Sequence, residues 1–534
     1  MSTPISQRIE APVTFKAYLM CGFAAFAGIL FGYDTGYISS VIGMEAFKIQ
    51  YGHRVPISED NPNGFAYYTW QKSLIVSILS AGTFFGALFS GYLADKIGRR
   101  TTIIGPGCGI FSIGVAVQVA AANIPGLVVG RFVAGLGVGC VSAINILYMS
   151  EIAPRKVRGA IVSGYQFAIT IGIMLASCVG YANEKYMHSG AYRIPIGIQL
   201  LWALILAVGL FFLPESPRYW VKKNRLDKAA RALARVRGQE PTSEYIEDEL
   251  AEIVANCDYE RQVGEVSWLG CFSGGITNSN SNARKVFIGT ALQMMQQWTG
   301  INFIFYYNVT FLKDLGITNA FLVSMVTTIV NVAGTPFSFY AIEKFGRRAL
   351  LVYGALAMCV CEFIIAGVGV SSDSSAATKI LIAFVCIYVF FFASTWGPTA
   401  WVVIGEIFQL PIRSKAVALS TASNWFWNCI IGVITPFIVD PPNGLGVKVF
   451  FVWGSTCLFC ALFAWIFVPE TKGLTLEQVN DMMEETPAYT SRHWRPRTTF
   501  IDQQDLSVYG RRSAPSTMDG AQPTKMESFI EMGR

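Results

Sequence analysis

Between Val286 and Leu312 the sequence carries no formal charge, yet it holds Gln296, Gln297, Asn302, Tyr306, Tyr307 and Asn308. An apolar run of that length, rising about 1.5 Å per residue, can cross a ~30 Å hydrocarbon core, where an unsatisfied amide is costly. These side chains must therefore face protein or water. Carboxamides both donate and accept, and the neighbouring rings offer flat apolar faces, so the set suits an uncharged polyhydroxylated ligand better than an ion. In an unbroken helix Gln296 and Asn302 lie about 120° apart around the axis, and Gln297 and Asn302 about 140°. For all three to reach one small ligand, the helix has to open near Thr299 and Gly300, as discontinuous transporter helices do. The alternative is a set of interhelical hydrogen bonds that only ties a bundle together.

Acids supply the other chemistry. Asp34 and Glu362 stand inside apolar runs, where a carboxyl is expensive unless paired or functional. The three histidines, His53, His188 and His493, lie outside those runs, and no nucleophile stands with a base, which argues against an enzyme. Of the twelve cysteines, only Cys257 and Cys271 lie outside apolar runs, in the central hydrophilic segment. No disulfide framework, zinc spacing or cofactor is expected.

The elements that must position these groups are hydrophobic. Of 534 residues, 53% are hydrophobic and only 14% charged, and the mean hydropathy is +0.44. A soluble chain carries nearer ~25% charge, so this is a polytopic membrane protein in a lipid bilayer. A formal charge of +6 is too small to signify a nucleic-acid partner. Apolar runs fall at 18–42, 71–93, 102–122, 126–150, 160–181 and 193–213, then at 286–312, 320–341, 349–370, 379–403, 415–438 and 447–468. The first is too long for a signal-peptide core and should remain as a span. The fold class is all-α membrane, with twelve transmembrane helices in two six-helix halves. Residues 1–214 form the first half behind a short N-terminus, 215–283 a helical insert, 284–470 the second half, and 471–534 a largely disordered tail.

Basic residues crowd alternate connections: Lys96, Arg99 and Arg100; Arg155, Lys156 and Arg158; Lys344, Arg347 and Arg348; Arg413 and Lys415. The positive-inside rule then puts both termini and the insert in the cytosol. Asp34 lies about eight residues, or ~12 Å, below the outer end of its helix, and Arg131 about five residues, or ~7.5 Å, below the outer end of the fourth. The two can meet. An acid near an arginine, with water admitted in one state only, is a proton carrier, because pairing favours the charged form and isolation the neutral one. The alternative is a permanent salt bridge; Glu362 is a rival proton site or a packed acid.

The halves repeat. DKIGRR at 95–100 answers EKFGRR at 343–348, SEIAPRKVR at 150–158 answers GEIFQLPIR at 405–413, and PES at 214 returns as PET at 469. Three motifs in the same order at nearly constant offset argue for duplication. Within the insert, 222–237 is basic and 244–260 acidic, so short helices of opposite sign can pair with each other or with the bundle, or stand solvated.

With these motifs the sequence resembles the sugar porter branch of the major facilitator superfamily, most closely fungal hexose transporters. The resemblance runs from about Ala17 to Gly473 and includes FGYDTG (31–36), GRFVAGLGVG (130–139), PESPR (214–218), QQWTGIN (296–302), WGPTAW (396–401), ASNW (422–425) and PETKG (469–473). Ile146 stands where the family usually has a proline, so that helix should bend less, and Ala393 stands where animal facilitators carry a glutamate. The resemblance implies a plasma-membrane carrier in which Gln166, Gln296, Gln297, Asn302, Asn331, Trp401 and Asn428 bind sugar hydroxyls and Asp34 with Arg131 couples a proton. It also implies gating by Asp95, Arg99, Arg100, Glu151, Arg158, Glu215 and Arg218, mirrored by Glu343, Arg347, Arg348, Glu406, Arg413 and Glu470. These would pair at the inner mouth in the outward-open state and part when it opens inward. Facilitated uniport and glucose sensing through the tail remain as alternatives.

Overall fold

The apolar runs fold as helices whose ends fall within a few residues of those expected. The computed structural model describes residues 14–57, 63–153, 158–263, 267–276, 278, 281–317, 319–371, 374–440, 444–474 and 476–494. The first six spans are Ala17–Gly43, Thr69–Ile97, Arg99–Ala120, Ile124–Ile152, Arg158–Asn183 and Gly190–Phe211. The second six begin with a divided seventh span, Asn282–Gln297 and Ile301–Asp314, and continue with Ala320–Phe345 and Arg347–Ser371. The tenth is also divided, Ser375–Ser394 and Trp396–Glu406, before Leu410–Val439 and Val449–Phe467 close the half. Among the described residues, 11 segments are long and apolar enough to cross a membrane. The seventh span is the exception because its two pieces have 16 and 14 residues, too short to cross singly.

Local chemistry accounts for the ends and irregularities. Asn123 and Ser374 cap the fourth and tenth spans by accepting from the Gly126 and Ala377 amides. In the third span Pro106 has no amide to give, and the turns from Ile103 to Gly109 widen to a π-helix. The fourth span runs unbroken past Ile146. Spans two and four meet backbone to backbone: a Cβ on Gly135 would stand 2.3 Å from the Leu79 carbonyl, and one on Gly86 2.2 Å from that of Leu136.

The insert helices Leu226–Arg237 and Glu244–Val263 pair through charge and apolar contact. Arg237 grips Glu249 at 2.6 Å and donates to the Ile152 carbonyl at 2.8 Å, so the pair is tied to the end of the fourth span. In the tail, Leu476–Glu485 is helical, and Asn480 accepts from Lys285 at 2.5 Å and from Gln409. The remainder of the tail, 495–534, lies outside the described residues. The end of the bundle bearing the insert is called here the insert face, and the opposite end the far face.

At the far face the two halves are bonded to each other. Lys72 pairs with Asp440 at 2.9 Å, Ser73 donates to the Val433 carbonyl at 2.9 Å, and Lys313 reaches the Gly43 carbonyl at 2.7 Å and Glu45 at 3.2 Å. A cavity of about 10 Å³ between Lys72, Tyr307, Asp314 and Asp440 has room for a water but not a sugar. This mouth is shut.

Candidate functional site

The seventh span opens where its amides required it to. Its first piece ends at Gln297, Gly300 takes a left-handed φ of 84°, and the second piece starts at Ile301. A side chain at 300 would be strained there and would meet Trp453 Cγ at 2.8 Å and Glu362 Oε1 at 3.0 Å, so glycine is needed twice over. Across this break Gln297 Oε1 accepts from Asn302 Nδ2 and, at 3.0 Å, from Asn428 Nδ2 of the eleventh span. Asn428 Oδ1 in turn accepts from Tyr306 at 2.9 Å and from Ser80 of the first half at 2.6 Å. Gln296 faces another way. Its Nε2 donates to the Trp396 and Gly397 carbonyls at 3.0 Å each, and its Oε1 accepts from Asn424 at 2.9 Å. Asn424 also donates to Gln293 at 2.7 Å. The result is a buried network of donors and acceptors, uncharged throughout, of the kind that can exchange partners with hydroxyls.

Not every expected site residue joins this network. Gln166 is half-buried on the fifth span, its Nε2 3.6 Å from where a Cβ on Gly397 would stand, so it reaches the tenth-span break from the other half. Trp401 is half-buried one turn beyond Gly397. Asn331 is buried on the eighth span, and no hydrogen bond among the described residues links its side chain to the cluster. Asn424, Gln293 and Ser80 were missed; the first two lie one helical turn from Asn428 and Gln296, a spacing that would have found them. Ala393, at the site of the animal glutamate, packs near Gly334 of the eighth span.

The centre of the first half holds charge instead. Asp34 is 0% exposed, and neither of its carboxylate oxygens has a hydrogen-bonding partner among the described residues. Arg131, equally buried, donates to the Tyr37 hydroxyl, one turn along from Asp34, and Tyr37 donates to Gln118 at 2.8 Å. Among the described residues no Asp34–Arg131 ion pair forms in this state; Arg131 donates to the tyrosine hydroxyl instead. In the second half Glu362 is buried in the ninth span with its Oε2 unpartnered.

At the insert face the two halves carry matching networks. Arg99 pairs with Asp95 at 3.1 Å and Glu151 at 3.2 Å; Arg347 pairs with Glu343 at 3.4 Å and Glu406 at 2.9 Å. Ser216 donates to Glu151 as Thr471 does to Glu406. Glu215 Oε1 accepts the Arg99 and Arg100 amides at 2.9 and 3.0 Å, and Glu470 accepts those of Arg347 and Arg348 at 2.9 and 3.2 Å. Each glutamate caps the helix that follows a left-handed glycine, Gly98 or Gly346. The outer arginines both donate to carbonyls near the end of their half's last span, Arg100 to that of Leu213 and Arg348 to that of Trp465, both at 2.7 Å, though at positions three residues apart in the repeat. Arg413 donates to the Gly405 carbonyl at 3.0 Å, Arg218 is half-buried in the helix Pro217–Lys222, and the Arg158 side chain lies outside the described residues. All of these pairs join residues of one half. With the far face shut they are formed, so each network braces its own half in this state rather than standing apart.

Comparison with known proteins agrees with this geometry. The profile of the family described as "Sugar (and other) transporter" matches residues 20–483. The chain is 44% identical over 524 residues to the major facilitator-type transporter ecdD of Aspergillus rugulosus, covering 95% of each. It is 41% identical to the probable glucose transporter rco-3 of Neurospora crassa, covering 94% of this chain and 85% of the other. To the high glucose sensor RGT2 of Saccharomyces cerevisiae it is 40% identical, covering 92% of this chain and 64% of that one. Among solved structures it is similar to the proton:xylose symporter XylE bound to 6-bromo-6-deoxy-D-glucose, with a TM-score of 0.72, 28% identity, and coverage of 88% and 99%. The partially occluded inward-open form of XylE from E. coli gives 0.70 at 25% identity, covering 86% and 100%. With its twelve spans, its divided seventh helix and its doubled insert-face network, the chain belongs to the sugar transporter family of the major facilitator superfamily and is a multi-pass membrane transporter, not an enzyme.

Proposed function

We propose that the chain carries a monosaccharide, glucose or a related hexose or pentose, across the plasma membrane by alternating access, in symport with a proton. The insert face and both termini are then cytosolic, and the far face is extracellular. The observation that carries this reading is the meeting of Gln297, Asn302 and Asn428 at the break in the seventh span, where their amides bond one another and can turn to sugar hydroxyls. Gln166 beside Gly397 brings an amide from the opposite half, and in this reading Gln296, Asn331 and Trp401 supply further sugar contacts. Asp34, buried without a partner while Tyr37 holds Arg131, is in the condition that favours a neutral, proton-loaded carboxyl; pairing with Arg131 in the opposite state would release the proton.

The test is uptake in a cell lacking its own hexose carriers. Asn302→Ala should raise the apparent KM by the ~1–3 kcal/mol of an unmatched buried polar contact, roughly 5- to 150-fold. An unchanged KM at normal surface expression contradicts the site. The similarity to a glucose sensor favours a second reading, signalling without transport, which absence of labelled glucose uptake by the wild-type chain would support.

A further inference from the structure

A break in a membrane helix frees carbonyls that must find donors. In the seventh span they include those of Gln296, which accepts from the Thr299 hydroxyl at 2.7 Å, and of Trp298 and Thr299. Thr456 of the twelfth span donates to the Trp298 carbonyl at 2.6 Å, and Tyr388 of the tenth, wholly buried, donates to the Thr299 carbonyl at 2.7 Å. In an uninterrupted helix those two carbonyls would accept the amides of Asn302 and Phe303. Here the Phe303 amide turns to the Gly300 carbonyl instead, at 3.1 Å. Cys457 Sγ also lies 3.6 Å from the Thr299 carbonyl, as a longer and weaker donor, so the two hydroxyls are the strong donors on the acceptors that helical continuation would use. The tenth-span break is held in return, since Gln296 donates to the carbonyls of Trp396 and Gly397.

We propose that Tyr388 and Thr456 are positioning residues for the sugar site: their hydroxyls hold the seventh span open and so bring Gln297 and Asn302 together. Without them the freed carbonyls recruit the helical amides, the break closes, and Asn302 swings toward the position about 140° from Gln297 that a continuous helix dictates. Among the described residues neither hydroxyl hydrogen-bonds to a side chain of the amide cluster. The inference rests on the reading of that cluster as the sugar site.

Tyr388→Phe and Thr456→Val preserve shape and remove one hydroxyl each. Each should raise the KM for glucose uptake roughly 3- to 10-fold while the maximal rate per surface molecule stays near wild type, and the double variant should raise it further. Thr456→Ser, which restores the hydroxyl, should return KM to the wild-type value. A role in stability alone would instead lower surface amount and leave KM unchanged. If Tyr388→Phe fails to reach the surface, Thr456→Val and its serine rescue decide alone. Asn302→Ala is measured alongside. Should it raise KM while the hydroxyl variants match wild type, the positioning role is overturned and the site survives; should it leave KM unchanged, the site and the positioning role fall together.

Discussion

The two halves of the molecule agree at the insert face and differ at the centre. Arg99 with Asp95, Glu151, Ser216 and Glu215 is repeated by Arg347 with Glu343, Glu406, Thr471 and Glu470, partner for partner. Midway along the spans the resemblance stops. The first half holds Asp34, whose carboxylate has no hydrogen-bonding partner among the described residues, beside an Arg131–Tyr37–Gln118 chain, whereas the second holds a network of amides around a broken helix, with the buried acid Glu362 at the break. A duplicated scaffold has kept its bracing and diverged in its chemistry. In the proposed mechanism that divergence divides the labour, with the proton handled by one half and most of the sugar by the other.

Charge reversal at the shared network should have the largest effect and can break the claim of equivalence. Glu151→Lys and Glu406→Lys each set a cation against a buried arginine, and loss of a buried pair costs about 3–5 kcal/mol. Glu151 is 4% exposed and Glu406 29%, so solvent screens the second site and Glu151→Lys should be the more damaging. Transport per surface molecule should fall over roughly 100-fold for the first and less for the second. Full transport by either variant would show that the bracing is dispensable in that half. Next in size is the 5- to 150-fold KM effect of Asn302→Ala, which sharpens the comparison if Asp34→Asn leaves exchange affinity untouched. The smallest concerns the far-face closure, where ion pairs join the halves. Lys72→Gln removes the bond to Asp440 and should favour far-face opening by ~0.5–1.5 kcal/mol, roughly 2- to 12-fold, read as tighter binding of a non-transported sugar analogue added from that side. Unaltered binding would mean that Ser73, Lys313 and apolar packing suffice.

Most of the fold was legible because hydrophobic run length is dictated by the bilayer itself. The opening of the seventh span was legible for a geometric reason, since Gln297 and Asn302 cannot meet on a continuous helix. Their partners were harder to read. Tyr388 and Thr456 serve carbonyls 89 and 158 residues away, and nothing in their own neighbourhoods marks them. Depth in the membrane brought Arg131 to the level of Asp34 but could not distinguish that carboxyl from the Tyr37 hydroxyl one turn along, which Arg131 takes. The insert-face residues were expected to pair at the inner mouth in the outward-open state and part when it opens inward. Asp95 to Arg99 and Glu343 to Arg347 are i, i+4 pairs on single helices, and that local geometry forms within each half first.

The division of labour between the halves is tested most directly by comparing net accumulation with exchange for Asp34→Asn, using a non-metabolised glucose analogue in intact cells with a protonophore control. The account predicts that the wild-type chain accumulates the analogue and takes up protons with it, and that the variant exchanges sugar at normal affinity but accumulates none. A wild-type chain that moves no protons and never concentrates the analogue would make the protein a uniporter and Asp34 a structural acid.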